Sequence, residues 1–436
     1  MQLYSTKRQS PNVGLKEAVL KGLPPDNGLY MPCIIQELPQ QFWDNLATYS
    51  FAEMAYEIAQ HLIGDDVPAE DLKKIINNAY YFDAPLIEVG DFSVLELYNG
   101  PTLAFKDFGA RFMGQLIGYF LRNNDKEVNI LVATSGDTGS AVAQGFLNVP
   151  GIKVTILYPK GKVSHIQEQQ FTTLGANITA IEIDGTFDDC QYLVKQAFLD
   201  AELNQRLKLS SANSINIARL IPQSFYFIYA YKQLEDKSLP LYFSVPSGNF
   251  GNLTAGLFAK RMGLPIEKII AANNANDVFT LYCETGNYAP KASVRTISNA
   301  MDVGNPSNFA RLMDMYEDSL ERLSENVSAY AFNDDQTANC IKDCFESYNY
   351  VLCPHTAVGY LGMQEFIEEQ DLNPLYVNAI VLSTAHPVKF GEVVEPLIQA
   401  FIKIPDRLQS ILKGKKKSVL MSADFDVFKT WLLSKE

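Results

Sequence analysis

Two rhythms of apolar positions divide the chain. Over residues 12–80 the apolar residues recur at helical spacing, in GLKEAVLKGL and again in FWDNLATYSFAEMAYEIAQHLIG, and predict a mainly helical region. Pro24-Pro25-Asp26-Asn27-Gly28 between them predicts a turn. From about residue 94 short apolar runs alternate with helical stretches. NILVAT (129–134), KVTILYP (153–159), ANITAIEID (176–184), PLYFSVP (240–246) and YVNAIVLS (376–383) read as buried strands. AVAQGFL, FDDCQYLVKQAFLDAELNQ, LTAGLFAKRM and EVVEPLIQAFI read as the helices among them. Apolar β runs alternating with helices predict an α/β fold, with parallel sheets covered by helices on both faces. A chain of 436 residues exceeds one core. We divide it into a helical region at 1–93 and two α/β lobes at 94–235 and 236–436, which are free to interleave.

In such folds ligands lie at the carboxyl ends of the strands, and three strand ends here carry unusual residues. SGNFGN (247–252) follows one strand and opens a helix. Gly248 and Gly251 allow tight turns and close approach of an anion, and the helix start supplies free N–H groups. The loop lacks the lysine of a nucleotide P-loop. It reads either as a phosphate cradle or as a bare strand-to-helix turn. TSGDTGS (134–140) offers small hydroxyls and N–H groups suited to a carboxylate or another small anion. Asp137 would repel such a ligand and is expected to serve as the helix N-cap, leaving ligand contact to Ser135, Gly136 and Thr138. STAHPVKF (383–390) places Thr384 and His386 just past a strand. His386 reads as a hydrogen-bonded loop histidine, with a catalytic base as the alternative.

The run LYNGPTLAFKDFGARF (97–112) sets one lysine, Lys106, among Phe105, Phe108 and Phe112. Thr102 is the expected N-cap of a helix whose apolar stripe is Phe105, Phe108, Phe112 and Leu116. Lys106 would then lie in the first turn. Apolar neighbours and the helix dipole both favour a neutral, nucleophilic amine, the state needed for a Schiff base. The alternative is a lysine whose stem packs on the rings while its head reaches solvent. Taken together, the lysine, the phosphate cradle, the carboxylate loop and the strand-end threonine suit pyridoxal 5'-phosphate, which has an aldehyde, a phosphate and a ring nitrogen to be held.

Charge and cysteine content narrow the classes. A formal charge of −14 argues against a nucleic-acid partner, and the one basic run, KGKKK (413–417), reads as a solvated loop. No apolar stretch approaches membrane-spanning length, and the N-terminus lacks a secretory pattern, so a cytoplasmic protein is expected. The six cysteines suggest no disulfide framework. Cys340, Cys344, Cys353 and His355 match no standard zinc spacing, so no metal is expected.

The chain resembles the threonine synthases of the longer bacterial and fungal type, within the second fold type of pyridoxal-phosphate enzymes. The resemblance runs over nearly the whole chain: YSTK, DNGLYMP (26–32), NGPTLAFKDFGARF (99–112), ATSGDTGSA (133–141), NSIN with Arg219 (213–219), SGNFGN and TAHPVKF (384–390). It implies two open, twisted parallel-sheet lobes like the tryptophan synthase β chain. It implies that Lys106 forms the Schiff base with the cofactor. Gly248, Asn249, Phe250, Gly251 and Asn252 would hold the cofactor phosphate, and Thr384 would stand beside the pyridine nitrogen. Thr134, Ser135, Gly136, Asp137 and Thr138 would receive the substrate carboxylate, although related enzymes acting on serine derivatives carry asparagine where Asp137 stands. Asn213, Ser214, Asn216 and Arg219 match a stretch near the substrate phosphate. Arg111, Lys162 and Arg219 are the candidate cations there. The implied reaction, the last step of threonine biosynthesis, converts O-phospho-L-homoserine and water to L-threonine and phosphate. Lys106 would be the base and acid, in a monomer or small homo-oligomer. An amino-acid dehydratase on the same fold is the alternative enzyme, and a non-enzymatic anion-binding α/β protein is the alternative of another class.

Overall fold

A computed structural model describes residues 1–123 and 127–435. The strand runs form two large sheets. One has six strands in the order Val327–Ala331, Ile266–Asn273, Leu241–Pro246, Asn378–Ser383, Phe92–Glu96 and Leu86–Val89. Every neighbour in it is parallel except the last pair. The other has five parallel strands in the order Val419–Ser422, Ile178–Asp184, Ile152–Pro159, Val128–Ala133 and Lys208–Ser211. Their central strands are apolar on both faces because helices cover both faces. Chain order and sheet membership interleave. Phe92–Glu96, just before Lys106, lies in the sheet of Leu241–Pro246, and Val419–Ser422 lies in the sheet of Val128–Ala133.

The N-terminal region carries helices Leu15–Lys21, Gln40–Asn45, Phe51–Ile63 and Ala69–Ala79. Ser50 and Glu53 form a capping box that starts the third of them, so the helical stretch 42–64 is broken at Ser50. A three-stranded antiparallel sheet, of Gln2–Ser5, Val13–Gly14 and Tyr30–Pro32, also lies in this region. Strands of two to four residues are too short to display alternation. One continuous hydrophobic core joins the N-terminal helices to the inner faces of both large sheets.

Helix Lys106–Leu121 packs closely on helix Asp137–Phe146. A Cβ on Gly114 would lie 2.3 Å from Gly145 O, and one on Gly145 would lie 2.7 Å from Ala110 O. These two glycines set the spacing between the helix that starts with Lys106 and the helix that starts with Asp137. Replacing Gly114 by Val must push the two apart. We expect Gly114→Val to cost about 3 kcal/mol, read as a lowered urea midpoint with an unchanged denaturant slope.

Candidate active site

The carboxyl ends of both sheets border one cleft of ≈ 350 Å³. Its position follows from backbone pairing. Loop 97–105 is stitched to the end of strand Asn378–Ser383: Leu97 N–H donates to Ser383 O (3.0 Å), Phe105 N–H to Thr384 O (2.8 Å) and His386 N–H to Leu103 O (3.1 Å). Ala104 and Ala385 form an isolated antiparallel bridge. Lys106, the first residue of its helix, and Thr384 are thereby brought to the same cleft.

Thr102 is not the N-cap of this helix. The loop continues through Leu103, at φ 59°, and the helix begins at Lys106. The carboxylate of Asp107 instead reaches back and accepts from Thr102 N–H and Oγ1, both at 2.8 Å. The apolar stripe also divides its work. Phe108 packs against Phe51, Tyr80, Phe82 and Tyr226, away from the amine. Only Phe105 approaches Lys106, with its ring centre 5.9 Å from Nζ.

The loop after strand Leu241–Pro246 turns at Phe250, which sits in the left-handed region at φ 57°, and helix Gly251–Arg261 follows. Among the described residues nothing accepts the backbone N–H groups of Gly248, Asn249, Phe250, Gly251 or Asn252. Asn249 braces the loop by donating to Ser214 Oγ (2.7 Å) and accepting from Ser307 N–H (2.5 Å). A Cβ on Gly248 would stand 2.7 Å from Met301 Cα, so only glycine fits under the 299–303 segment. Unbonded N–H groups at a helix start, sharing a cleft with a half-buried amine, fit a ligand with both a phosphate and an aldehyde.

The loop of residues 134–138 is organised differently from expectation. Thr134, not Asp137, supplies the side chain that accepts from the helix start, with Gly136 N–H at 3.0 Å and Gly139 N–H at 2.8 Å. Asp137 is the first residue of the helix and pairs with Lys389 Nζ at 2.6 Å, while Gln167 Nε2 donates to it at 2.7 Å. Its carboxylate is thus neutralised locally, and the expected repulsion of an anion by this loop falls away.

Ser135, Asp137, Thr138, Asn213, Ser214 and Arg219 line the cleft, as do Gly248 through Asn252. Thr134, Gly136 and Asn216 do not. Asn216 caps helix Ile217–Leu220 and donates to Val19 O. Arg219 is buried, donates to Ala212 O at 2.5 Å, and leaves Nε without a partner. Arg111 lies outside the cleft, over the ring of Tyr81, where it donates to Ala79 O, and Lys162 does not reach the cleft either. His386 also stays out: its Nδ1 accepts from Val388 N–H and caps a short 3-10 turn, Pro387–Phe390.

The sequence reading gave no place in this site to His355, Gln167 or Lys389. His355 borders the cleft with Nε2 accepting from Ala300 N–H (3.1 Å) and Nδ1 unpartnered. Gln167 and Lys389 hold Asp137. Lys389 carried a legible signal, since it stands in the apolar run PVKF just as Lys106 stands in AFKDF.

Comparison with known proteins agrees with this geometry. A family model for pyridoxal-phosphate dependent enzymes matches residues 82–383, one for the threonine synthase N terminus matches 2–80, and one for the threonine synthase C-terminal part matches 356–431. The chain is 42% identical to threonine synthase of Escherichia coli over the full length of both chains. It is 34% identical to that of Saccharomyces cerevisiae, over 98% of this chain and 97% of the other. The chain belongs to the threonine synthase family. Solved structures agree: threonine synthase from Escherichia coli superposes with a TM-score of 0.90 at 41% identity over all of both chains. The pyridoxal-phosphate-bound threonine synthase from Brucella melitensis gives 0.92 at 32% identity, over 99% of this chain and 98% of that one.

The enzyme is therefore a pyridoxal-phosphate-dependent lyase with threonine synthase activity, catalysing the last step of threonine biosynthesis on a small-molecule substrate. No helix among the described residues is long and apolar enough to cross a membrane.

The electrostatics of the cleft suit that cofactor. Burial lowers the Lys106 amine to about 8; Arg219 and Lys389 push the same way, and Asp137 opposes them. An ordinary lysine near 10.4 is almost wholly protonated at neutral pH, whereas this one has a sizeable neutral fraction. Burial tends to raise Asp137, but the charges of Lys389 and Lys106 outweigh it and hold the carboxyl well below its usual range. Burial lowers His355 to about 4, so its ring is neutral, and with Nε2 accepting, Nδ1 carries the proton.

Two substitutions separate these roles. Gly248→Ala should lower the melting transition and weaken cofactor binding about tenfold or more in an absorbance titration, because its methyl meets the Met301 backbone and the loop must shift. His386→Ala should cost about 1 kcal/mol of stability by loss of a cap while leaving the pH profile of turnover unchanged. A catalytic histidine would change that profile.

Proposed function

We propose that the substrate is O-phospho-L-homoserine, which reacts with water to give L-threonine and phosphate, and that Lys106 is the catalytic amine. One observation carries the assignment: a half-buried lysine of lowered basicity shares a cleft with a run of unbonded N–H groups and a strand-end threonine. Lys106 would hold the cofactor aldehyde, Gly248 through Asn252 its phosphate, and Thr384 would face its ring nitrogen. When bound, the cofactor accepts electron pairs released at carbons near the substrate nitrogen.

The chain's own residues supply the rest. The net change places hydroxide on Cβ and removes phosphate from Cγ, which needs several proton transfers at adjacent carbons. Lys106 Nζ, which borders the cleft, takes and returns those protons. Ser135, Asp137 and Thr138 have backbone N–H groups outside the helix bonding pattern, and these receive the substrate carboxylate beside an Asp137 already neutralised by Lys389. Thr134 and Gly136 shape that loop. Arg219, with Asn213 and Ser214, faces the substrate phosphate, and Asn216 sets the helix that carries Arg219. Thr384 presents a hydroxyl where a carboxylate would make the ring a stronger electron sink, which restrains competing reactions.

We read the chain as three consecutive segments, 1–93, 94–235 and 236–436, working in the cytoplasm as a monomer or small homo-oligomer. The purified protein with added cofactor should be yellow and release phosphate from O-phosphohomoserine. Lys106→Ala should lose the visible band, and phosphate release should fall about 10³-fold or more. Ketobutyrate from threonine without phosphate release from O-phosphohomoserine would point to a dehydratase instead.

A further inference from the structure

A second lysine of the site, this one buried, has no part in the proton transfers. Lys389 is 2% exposed, and its partner Asp137 is 6% exposed. Lys389 Nζ donates to Asp137 Oδ1 at 2.6 Å and to Thr102 O at 2.8 Å. Thr102 O also accepts from Gln170 Nε2 at 2.9 Å, and Thr102 holds the carboxylate of Asp107, the residue after Lys106. Lys389 therefore ties together three segments: the loop that leads into Lys106, the start of helix Asp137–Phe146, and the turn after strand Asn378–Ser383.

The charges around Lys106 give this tie a chemical consequence. Asp137 faces Lys106 from its helix, Lys389 from the 3-10 turn, Arg219 from helix Ile217–Leu220 and His355 from helix Pro354–Glu369. On its own helix, Asp107 is turned away to Thr102. Asp302, also on the cleft wall, is bonded to Thr296 and Asn274. His355 is neutral, so the fixed charges that act on the amine are one carboxylate and two cations. Among the described residues Lys106 forms no ion pair within 4.0 Å, whereas Asp137 is held by Lys389. An unpaired buried carboxylate this close would hold a lysine as its ammonium ion. An ammonium ion has no lone pair with which to attack an aldehyde.

We propose that Lys389 is a positioning residue for Lys106: its ion pair with Asp137 keeps that carboxylate from trapping the amine as an ammonium ion, and its bond to Thr102 fixes the loop that carries the amine. The inference rests on the reading of Lys106 as the residue that holds the cofactor. The same pairing lets one loop keep a carboxylate near the amine and still receive an anionic substrate group, because the pair as a whole is neutral.

The test uses the full-length enzyme stripped of cofactor and then supplied with pyridoxal 5'-phosphate. Covalent capture at Lys106 is trapped with borohydride and quantified by peptide mass spectrometry from about pH 6 to about pH 10, bracketing the lysine transition. The unmodified enzyme should show a capture midpoint near about 8. Lys389→Met should move the midpoint upward by roughly 1 unit, since it removes a repelling cation and frees Asp137 at once. Asp137→Asn should move it downward by a similar amount, and Lys389→Arg, which keeps the charge, should leave it near the starting value. A Lys389 with only a structural role would lower capture at every pH without moving the midpoint. That result, or a shift of the same sign in Lys389→Met and Asp137→Asn, overturns the inference. If Lys389→Met does not fold, Asp137→Asn against Lys389→Arg decides, and an unmoved midpoint in Asp137→Asn overturns it. Absence of capture at Lys106 in the unmodified enzyme at every pH would overturn the assignment of Lys106 and this inference with it. Capture with an unmoved midpoint overturns this inference alone.

Discussion

The site depends on the pairing of one loop with one strand end. Phe92–Glu96 lies parallel to Asn378–Ser383 with Glu96 opposite Ser383, so both strands end at the same level. The chain then leaves each strand side by side, and the bonds from Leu97, Phe105 and His386 keep the two exits together for several residues more. A lysine after one strand and a threonine after the other must then face the same space. On the other side of Asn378–Ser383, strand Leu241–Pro246 ends in the glycine loop. Three neighbouring parallel strands thus deliver an amine, a hydroxyl and an anion cradle in one row. Antiparallel neighbours would have sent alternate ends to opposite edges of the sheet.

Much of this was legible because it is periodic or local. The apolar runs at 129–134, 153–159, 176–184, 240–246 and 376–383 were read as strands, and each lies over a strand of the structure. The glycine loop was legible because its residues are those a tight turn and an anion require. Thr102 and Asp137 were misread for one reason. An N-cap is the first explanation of a small polar residue before a helix, and the folded geometry shows another partner: for Thr102 it is Asp107, five residues on. For Asp137 that partner is Lys389, 252 residues away in sequence, and no local pattern links them. The two- to four-residue strands of the N-terminal sheet escaped because pairing, not propensity, makes them strands.

Lys106 and Lys389 illustrate how one site handles the same residue type in two ways. Both stand in apolar runs, and both would be costly to bury as isolated charges. Lys389 meets that cost with a carboxylate and a carbonyl within hydrogen-bond distance, the only economical way to keep a buried ammonium ion. Among the described residues Lys106 has no such partner, so burial lowers the basicity of its amine and leaves part of it neutral. The difference lies in who occupies Asp137.

The same local accounting explains how a chain of net charge −14 handles anionic ligands. Exposed carboxylates act through water and salt, and their fields fade over about 10 Å. Inside the cleft the field comes from what borders it: Arg219, Lys106, the carboxylate of Asp302 held by Thr296 and Asn274, the neutral pair of Asp137 with Lys389, and N–H groups at the starts of helices Asp137–Phe146 and Gly251–Arg261. That interior is net positive wherever Lys106 carries its proton, and the N–H dipoles remain positive when it does not. The global charge governs solubility, while the cleft composition governs the ligand, and the two can differ in sign because low-dielectric walls separate them.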